Sequence, residues 1–264
     1  MRKLITSEAP LHINRPVFAA LGLFDGVHRA HAKLIAMART VADSVGGVVM
    51  VYTFSRNPMD VVLPERAPLA LMTIAARTKR LFELGASVIV IQEFDERFAN
   101  TEPAEFIRSL CHRYNPGGIF VGYNFRFGRN GEGTPDTLSS FANAYGYRLH
   151  AMAADMTGGG AVSSTRIRHA LAVGDVERAN QLLGRSFEMY GRLDRDGTFH
   201  IDRGLIVPRT GKYHARVDFA DALVFVSPVS GVRINAEGVS PGKKRVELLR
   251  AVDNGRIIGI VPSK

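Results

Sequence analysis

A chain of 264 residues that is 46% apolar can build one large core or two modest ones, and none of its apolar runs approaches the roughly 18 residues of a membrane span. The single cysteine, Cys111, excludes an internal disulfide and any multi-cysteine metal centre, and its place in an apolar helical pattern reads as structural. A net charge of +9 draws anions, yet the basic residues are scattered, with Lys243-Lys244-Arg245 the densest cluster and no basic stripe interleaved with aromatics, so specific nucleic-acid recognition is not indicated.

The first residues, Met1-Arg-Lys-Leu-Ile-Thr-Ser-Glu, carry charge but no long apolar region or cleavage signal, which reads as a cytoplasmic protein. From there, short β-type runs at 17–21, 47–54, 87–92, 118–121 and 147–153 alternate with helical patterns at 30–45, 74–84, 101–113, 137–145 and 165–171. Gly85 closes one helix, and Thr101 followed by Pro103 opens the next. Several β-runs are continuously apolar, as strands covered on both faces are. The alternation predicts an α/β domain with a doubly wound, mostly parallel sheet of Rossmann-like type over residues 1–185, closed by a helix at 175–183. The character then changes. Runs at 189–193, 198–201, 213–219, 223–227, 232–236, 245–251 and 256–261, separated by Gly, Pro and Asp-Gly turns, predict a small all-β barrel or sandwich over 186–264.

Three motifs carry the candidate chemistry, and the first two fall at the expected ligand edge of the sheet. Gly22-Leu-Phe-Asp-Gly-Val-His28-Arg-Ala-His31 follows the first strand and opens a helix. His28 and His31, three apart, share a face of its first turn, beside backbone N–H groups that suit phosphate. Gly22, Phe24, Asp25 and Gly26 form the turn. No third ligand is near for zinc, and no Gly-x-Ser-x-Gly elbow supports a serine nucleophile. Satisfied structural histidines remain the rival reading. The second motif, Phe120-Val-Gly-Tyr-Asn-Phe-Arg-Phe-Gly128, offers Asn124 to a phosphate or base and Phe125 and Phe127 to a planar ring, unless these are core aromatics of a glycine-rich loop. The third, Ser163-Ser-Thr-Arg-Ile-Arg168, puts Ser163 and Ser164 just before a helix that starts at Thr165 and adds the guanidinium groups of Arg166 and Arg168.

In this order and spacing the three motifs resemble those of the bacterial FAD synthetase family, the bifunctional riboflavin kinase/FMN adenylyltransferases. The likeness extends through Glu93-Phe-Asp-Glu-Arg-Phe-Ala99 and Ala179-Asn-Gln-Leu-Leu-Gly-Arg185. It implies a nucleotidyltransferase fold with ATP, Mg2+ and FMN as the small-molecule partners, and it places His28, His31, Asn124, Ser164 and Arg168 at the adenylyl-transfer site. Two positions depart from the family pattern. Ala30 replaces the glycine between the histidines, and Leu23 stands where a small or polar residue is usual. The second half departs further. Gly191–Gly197 and Pro208–His214 resemble parts of the kinase domain, but only residues 198–207 separate them, no Pro-Thr-Ala-Asn occurs, and Glu247 is a weak match to the catalytic glutamate. The resemblance therefore implies FMN adenylyltransferase without riboflavin kinase activity. A nucleotidyltransferase with another phosphorylated acceptor and a non-catalytic flavin- or nucleotide-binding regulator stay open, as does a homo-oligomer.

Overall fold

The computed structural model describes residues 2–6 and 13–252. The chain divides into two compact units, Met1–Ser164 and Thr165–Lys264. Among the described residues, no helix is long and apolar enough to cross a membrane.

The first unit is built on a six-stranded sheet of β1 (Lys3–Thr6), β2 (Val17–Leu21), β3 (Val48–Phe54), β4 (Val88–Gln92), β5 (Pro116–Gly122) and β6 (Arg148–Met152), in the order β1-β4-β3-β2-β5-β6. Every pairing is parallel. All residues of β2 and β3 are buried, which explains their unbroken apolar sequence. β1 was not expected. Its four residues sit at the sheet edge with only alternate side chains partly covered, too little apolar pattern to read from sequence.

The crossover helices are α1 (Arg29–Ser44), α2 (Met59–Val62), α3 (Ile74–Glu83), α4 (Glu96–Ala99), α5 (Pro103–Tyr114) and α6 (Pro135–Tyr145). Their starts follow local chemistry: Thr73 caps α3, Asp95 caps α4, and Thr134 and Thr137 form a reciprocal box on α6. α5 starts on Pro103 with Glu102 before it, so Thr101 is not its cap. One face of the sheet packs Met50, Tyr52 and Val90 against Phe106, Ile107, Leu110 and Cys111 of α5. Burial there pushes the Cys111 thiol up to about 11, as befits a packing residue. α1 lies on the other face, against β2, β3 and β5.

Strands β3, β4 and β1 extend from β2 in one direction, and β5 and β6 in the other. The crevice outside the carboxyl ends of β2 and β5 is therefore the point where the winding reverses, the usual ligand position in such sheets.

The second unit begins with α7 (Ser164–Val173, its first residue belonging to the preceding unit) and α8 (Val176–Leu183). Then come β7 (Phe187–Leu193), β8 (Thr198–Ile201), β9 (Gly211–Val217), β10 (Ala220–Ser227), β11 (Gly231–Asn235) and β12 (Gly242–Ala251). They close an antiparallel barrel in the order β10-β11-β8-β7-β12-β9. Alternate residues fill its interior, among them Phe187, Met189, Phe199, Tyr213, Val224, Val246 and Leu248. At Gly191 a Cβ would stand 2.2 Å from the His200 carbonyl oxygen, so only glycine allows β7 and β8 this approach. The strand expected at 256–261 lies outside the described residues.

The break between units falls before α7, whereas composition changes only after residue 185. Side chains account for the difference. Val176, Ala179, Leu182 and Leu183 form the buried face of α8, which packs on β12 and β7. Asn180 donates to the carbonyls of Leu248 (2.9 Å) and Leu249 (3.1 Å) and accepts the Phe187 N–H (2.6 Å). From α7, the Leu171 carbonyl accepts the Arg209 N–H at 2.9 Å.

Candidate active site

The loop after β2 has an unusual backbone. Gly22 N–H still donates to the Tyr52 carbonyl (3.1 Å), and then Phe24, Gly26 and Val27 take φ values of 56°, 78° and 38°. A β-branched residue with positive φ is strained and persists only where surroundings enforce it. Here they do. Val27 N–H turns back to the Phe24 carbonyl at 3.0 Å. The Leu23 carbonyl accepts Thr53 Oγ1 (2.9 Å) and Arg77 Nη1 (3.1 Å). The buried Asp25 carboxylate accepts the Leu71 N–H through both oxygens, at 3.0 and 3.3 Å. The Asp25 carbonyl accepts Ser164 Oγ at 2.8 Å. Arg77 also donates to the Phe54 carbonyl, so one buried guanidinium ties together the carboxyl ends of β2 and β3. Burial lowers its pKa, and the Asp25 charge works against that shift.

This loop delivers His28 to the N-cap of α1. Its Nδ1 accepts the His31 N–H at 3.4 Å, which leaves Nε2 to carry the proton of the neutral ring. The two imidazoles stack with centroids 3.6 Å apart and planes 13° apart, and Phe24 closes on His31 at 5.0 Å. His28 is buried and His31 half-buried. Ala30 is buried on the same helical face as Leu34, Ala38 and Ala42, so its methyl belongs to the packing of α1. Leu23 packs partly against the sheet core.

The loop after β5 reaches the same edge of the sheet. Tyr123 N–H donates to the Met152 carbonyl (2.8 Å), Phe125 N–H to the Gly122 carbonyl (3.0 Å), and Asn124 is exposed. The two phenylalanines differ. Phe127 is buried, 5.2 Å from Phe106, and a Cβ on Gly133 would meet its ring at 2.7 Å. Phe125 is half-buried and stacks on Phe127 at 5.6 Å. Phe125 thus has a partly open ring, backed by a fixed one. A cavity of about 260 Å³, lined by Tyr52, Gln92, Phe98, Phe106 and Tyr114 among others, lies at the ends of β3 and β4. Tyr52 donates to Gln92 Oε1 at 2.7 Å in its wall, and burial raises its pKa.

Of the residues expected from sequence, Gly22, Phe24, Asp25, Gly26, His28, His31, Asn124 and Phe125 thus lie at the carboxyl edge of the sheet. Ser163 and Ser164 end the first unit, and Ser164 is bonded to the first loop. Thr165 and Arg168 belong to α7 in the second unit, the former exposed and the latter half-buried. Sequence reasoning missed Thr53, Leu71, Arg77, Arg29, Lys33 and Asp155. The last three form a cluster in which Arg29 Nε meets Asp155 Oδ2 at 2.9 Å and Lys33 Nζ meets Oδ1. Among the described residues, no group of three or more His, Cys, Asp or Glu is placed to hold a metal.

Comparisons with known proteins accord with this geometry. The FAD synthetase family model matches residues 11–166. The bifunctional riboflavin kinase/FMN adenylyltransferase of Bacillus subtilis is 32% identical, over 75% of this chain and 66% of its own length. That of Escherichia coli K12 is 32% identical, over 66% of this chain and 56% of its own. The chain thus spans less than two thirds of the length of these relatives. The crystal structure of a macrolide-efflux protein from Streptococcus pneumoniae shares the fold, with a TM-score of 0.82 at 20% identity, covering 97% of this chain and 93% of that one. With more than half of its residues matched by the family model, the chain belongs to the FAD synthetase family.

Proposed function

We propose that this chain is an FMN adenylyltransferase, which joins the phosphate of FMN to the adenylyl group of ATP and releases pyrophosphate. The observation that carries this reading is the His28–His31 stack on the first turn of α1, at the point where the sheet reverses its winding. An FMN phosphate oxygen attacks the α-phosphorus. The bond from that phosphorus to the bridging oxygen breaks, and pyrophosphate leaves with the electron pair. The attacking phosphate is already anionic, so the protein supplies alignment and charge stabilisation rather than a nucleophile. His28, His31 and Asn124 of the first unit are the side-chain donors for the developing charge, with the first-turn N–H groups of α1 beside them, and the family likeness assigns Arg168 of the third motif to transfer as well. Gly22, Phe24, Asp25 and Gly26 shape the first phosphate turn, and Ser163, Ser164 and Thr165 the second. Phe125, backed by Phe127, offers a face to the flavin ring. The described residues provide no metal cage, and Mg2+ carried on the triphosphate belongs to the substrate.

Riboflavin kinase activity is absent in this reading. Strand β8 ends at Ile201 and β9 begins at Gly211, without a Pro-Thr-Ala-Asn segment between them. Glu247 is engaged by Arg245 at 2.7 Å. Without a segment to hold nucleotide phosphates, a lone carboxylate does not transfer a phosphoryl group.

The test incubates pure protein with ATP, Mg2+ and FMN, and in parallel with ATP, Mg2+ and riboflavin, and separates the flavins by chromatography. FAD in the first tube and unchanged riboflavin in the second are expected. Saturable FMN binding without FAD would favour a regulatory role, and FMN made from riboflavin would overturn the kinase claim.

A further inference from the structure

Asp155 follows β6 by three positions, and its side chain is only 7% exposed. It receives Arg29 Nε on one oxygen and Lys33 Nζ on the other. These two cations stand four residues apart on the first turns of α1, and Arg29 directly follows the capping His28. Burial pushes the Asp155 pKa up, but the Lys33 hydrogen bond and the charges of Arg29 and Lys33 outweigh it and hold the carboxyl below its usual range.

The same residue opens a strap. Its carbonyl accepts the Val162 N–H at 2.8 Å, and Thr157 N–H closes on the Gly160 carbonyl at 2.9 Å. Met156 and Ala161 pair across the turn. The strap ends at Ser164, whose hydroxyl holds the Asp25 carbonyl. Residues 155–164 are therefore fastened to the first phosphate loop at both ends, by Asp155 on α1 and by Ser164 on Asp25. A carboxylate beside a phosphate-handling helix start repels phosphate, so this one opposes binding unless it serves another step.

We propose that Asp155 is a positioning residue for adenylyl transfer, one that registers the strap on α1 and restrains Arg29 and Lys33 from trapping the pyrophosphate that leaves. This inference rests on the nucleotidyl-transfer reading above. It predicts effects of opposite sign. Asp155→Asn keeps the shape but releases two cations and loosens the strap, so pyrophosphate binds more tightly while turnover slows. A residue of purely structural importance would weaken both.

The test titrates inorganic pyrophosphate into the full chain by calorimetry and measures FAD formation alongside. Asp155→Asn is expected to tighten pyrophosphate about threefold and to lower kcat about tenfold. Asp155→Glu, which restores the charge, should return pyrophosphate affinity toward that of the unsubstituted chain. If Asp155→Asn does not fold, Asp155→Ser serves instead, because it too removes the carboxylate, and it should tighten pyrophosphate by a similar factor. Unchanged or weaker pyrophosphate binding in the folded carboxylate-free variant overturns the proposal, as does a kcat left at that of the unsubstituted chain. Failure to make FAD in a chain whose pyrophosphate affinities still shift as described counts against FMN as acceptor and leaves the role of Asp155 standing.

Discussion

His31 is half-buried, contributes its backbone to the helix start and presents its ring to the stack with His28. His31→Ala keeps the backbone N–H that His28 accepts and removes only the ring. Turnover should fall by about 10²–10³, the loss typical of one donor aimed at developing charge. Circular dichroism should remain that of the unsubstituted chain, and unchanged turnover would mean that the ring does not serve transfer. The residues of this loop were legible because a strand, a glycine turn and a helix start with paired imidazoles are contiguous in sequence. Arg77 and Asp155 were not. Arg77 reaches Leu23 across 54 positions and Asp155 reaches Arg29 across 126, so nothing local marks either as part of the site. Phe127 shows the opposite limit. Spacing left both a ring wall and a core aromatic open there, and Gly133 and Phe106 hold the ring in the core, a fact that depends on which face of the loop turns inward.

Among the elements, α8 is held by one side chain more than by its length. Asn180 satisfies two barrel carbonyls and one N–H. Asn180→Ala leaves those partly buried groups without their partner and should cost about 2–4 kcal/mol. Urea unfolding followed by circular dichroism measures this, and a loss under about 0.5 kcal/mol would show that water replaces the amide freely. Strands β2 and β3 were readable as apolar runs because both of their faces are covered. The edge strand β1 and the four-residue helices α2 and α4 were not, since each is stabilised by neighbours or a single cap rather than by periodicity. The grouping of α7 and α8 with the barrel was equally hidden. A helix shows from its own pattern that one face is buried, but not against what.

At the scale of the whole molecule, the proposed function lodges the phosphate loop, the strap and the aromatic face in one unit and leaves the other, among the described residues, a filled barrel. That reading predicts one nucleotide site per chain. Calorimetric titration with ATP and Mg2+ should give a stoichiometry of one, and a second equivalent site would require that the barrel bind nucleotide too. The barrel also shows how such a division can arise. Strands β8 and β9 follow one another in sequence but are not neighbours in the ring, since β8 pairs with β7 and β11 while β9 pairs with β10 and β12. Residues 202–210 that join them are therefore free of hairpin geometry, and the entropy of a connection grows only slowly with its length. The connection is nonetheless moored near both ends, by the Asp202 N–H on the Tyr190 carbonyl and the Arg209 N–H on the Leu171 carbonyl, so its length can vary without altering the strand order while those two anchors fix where added residues would enter.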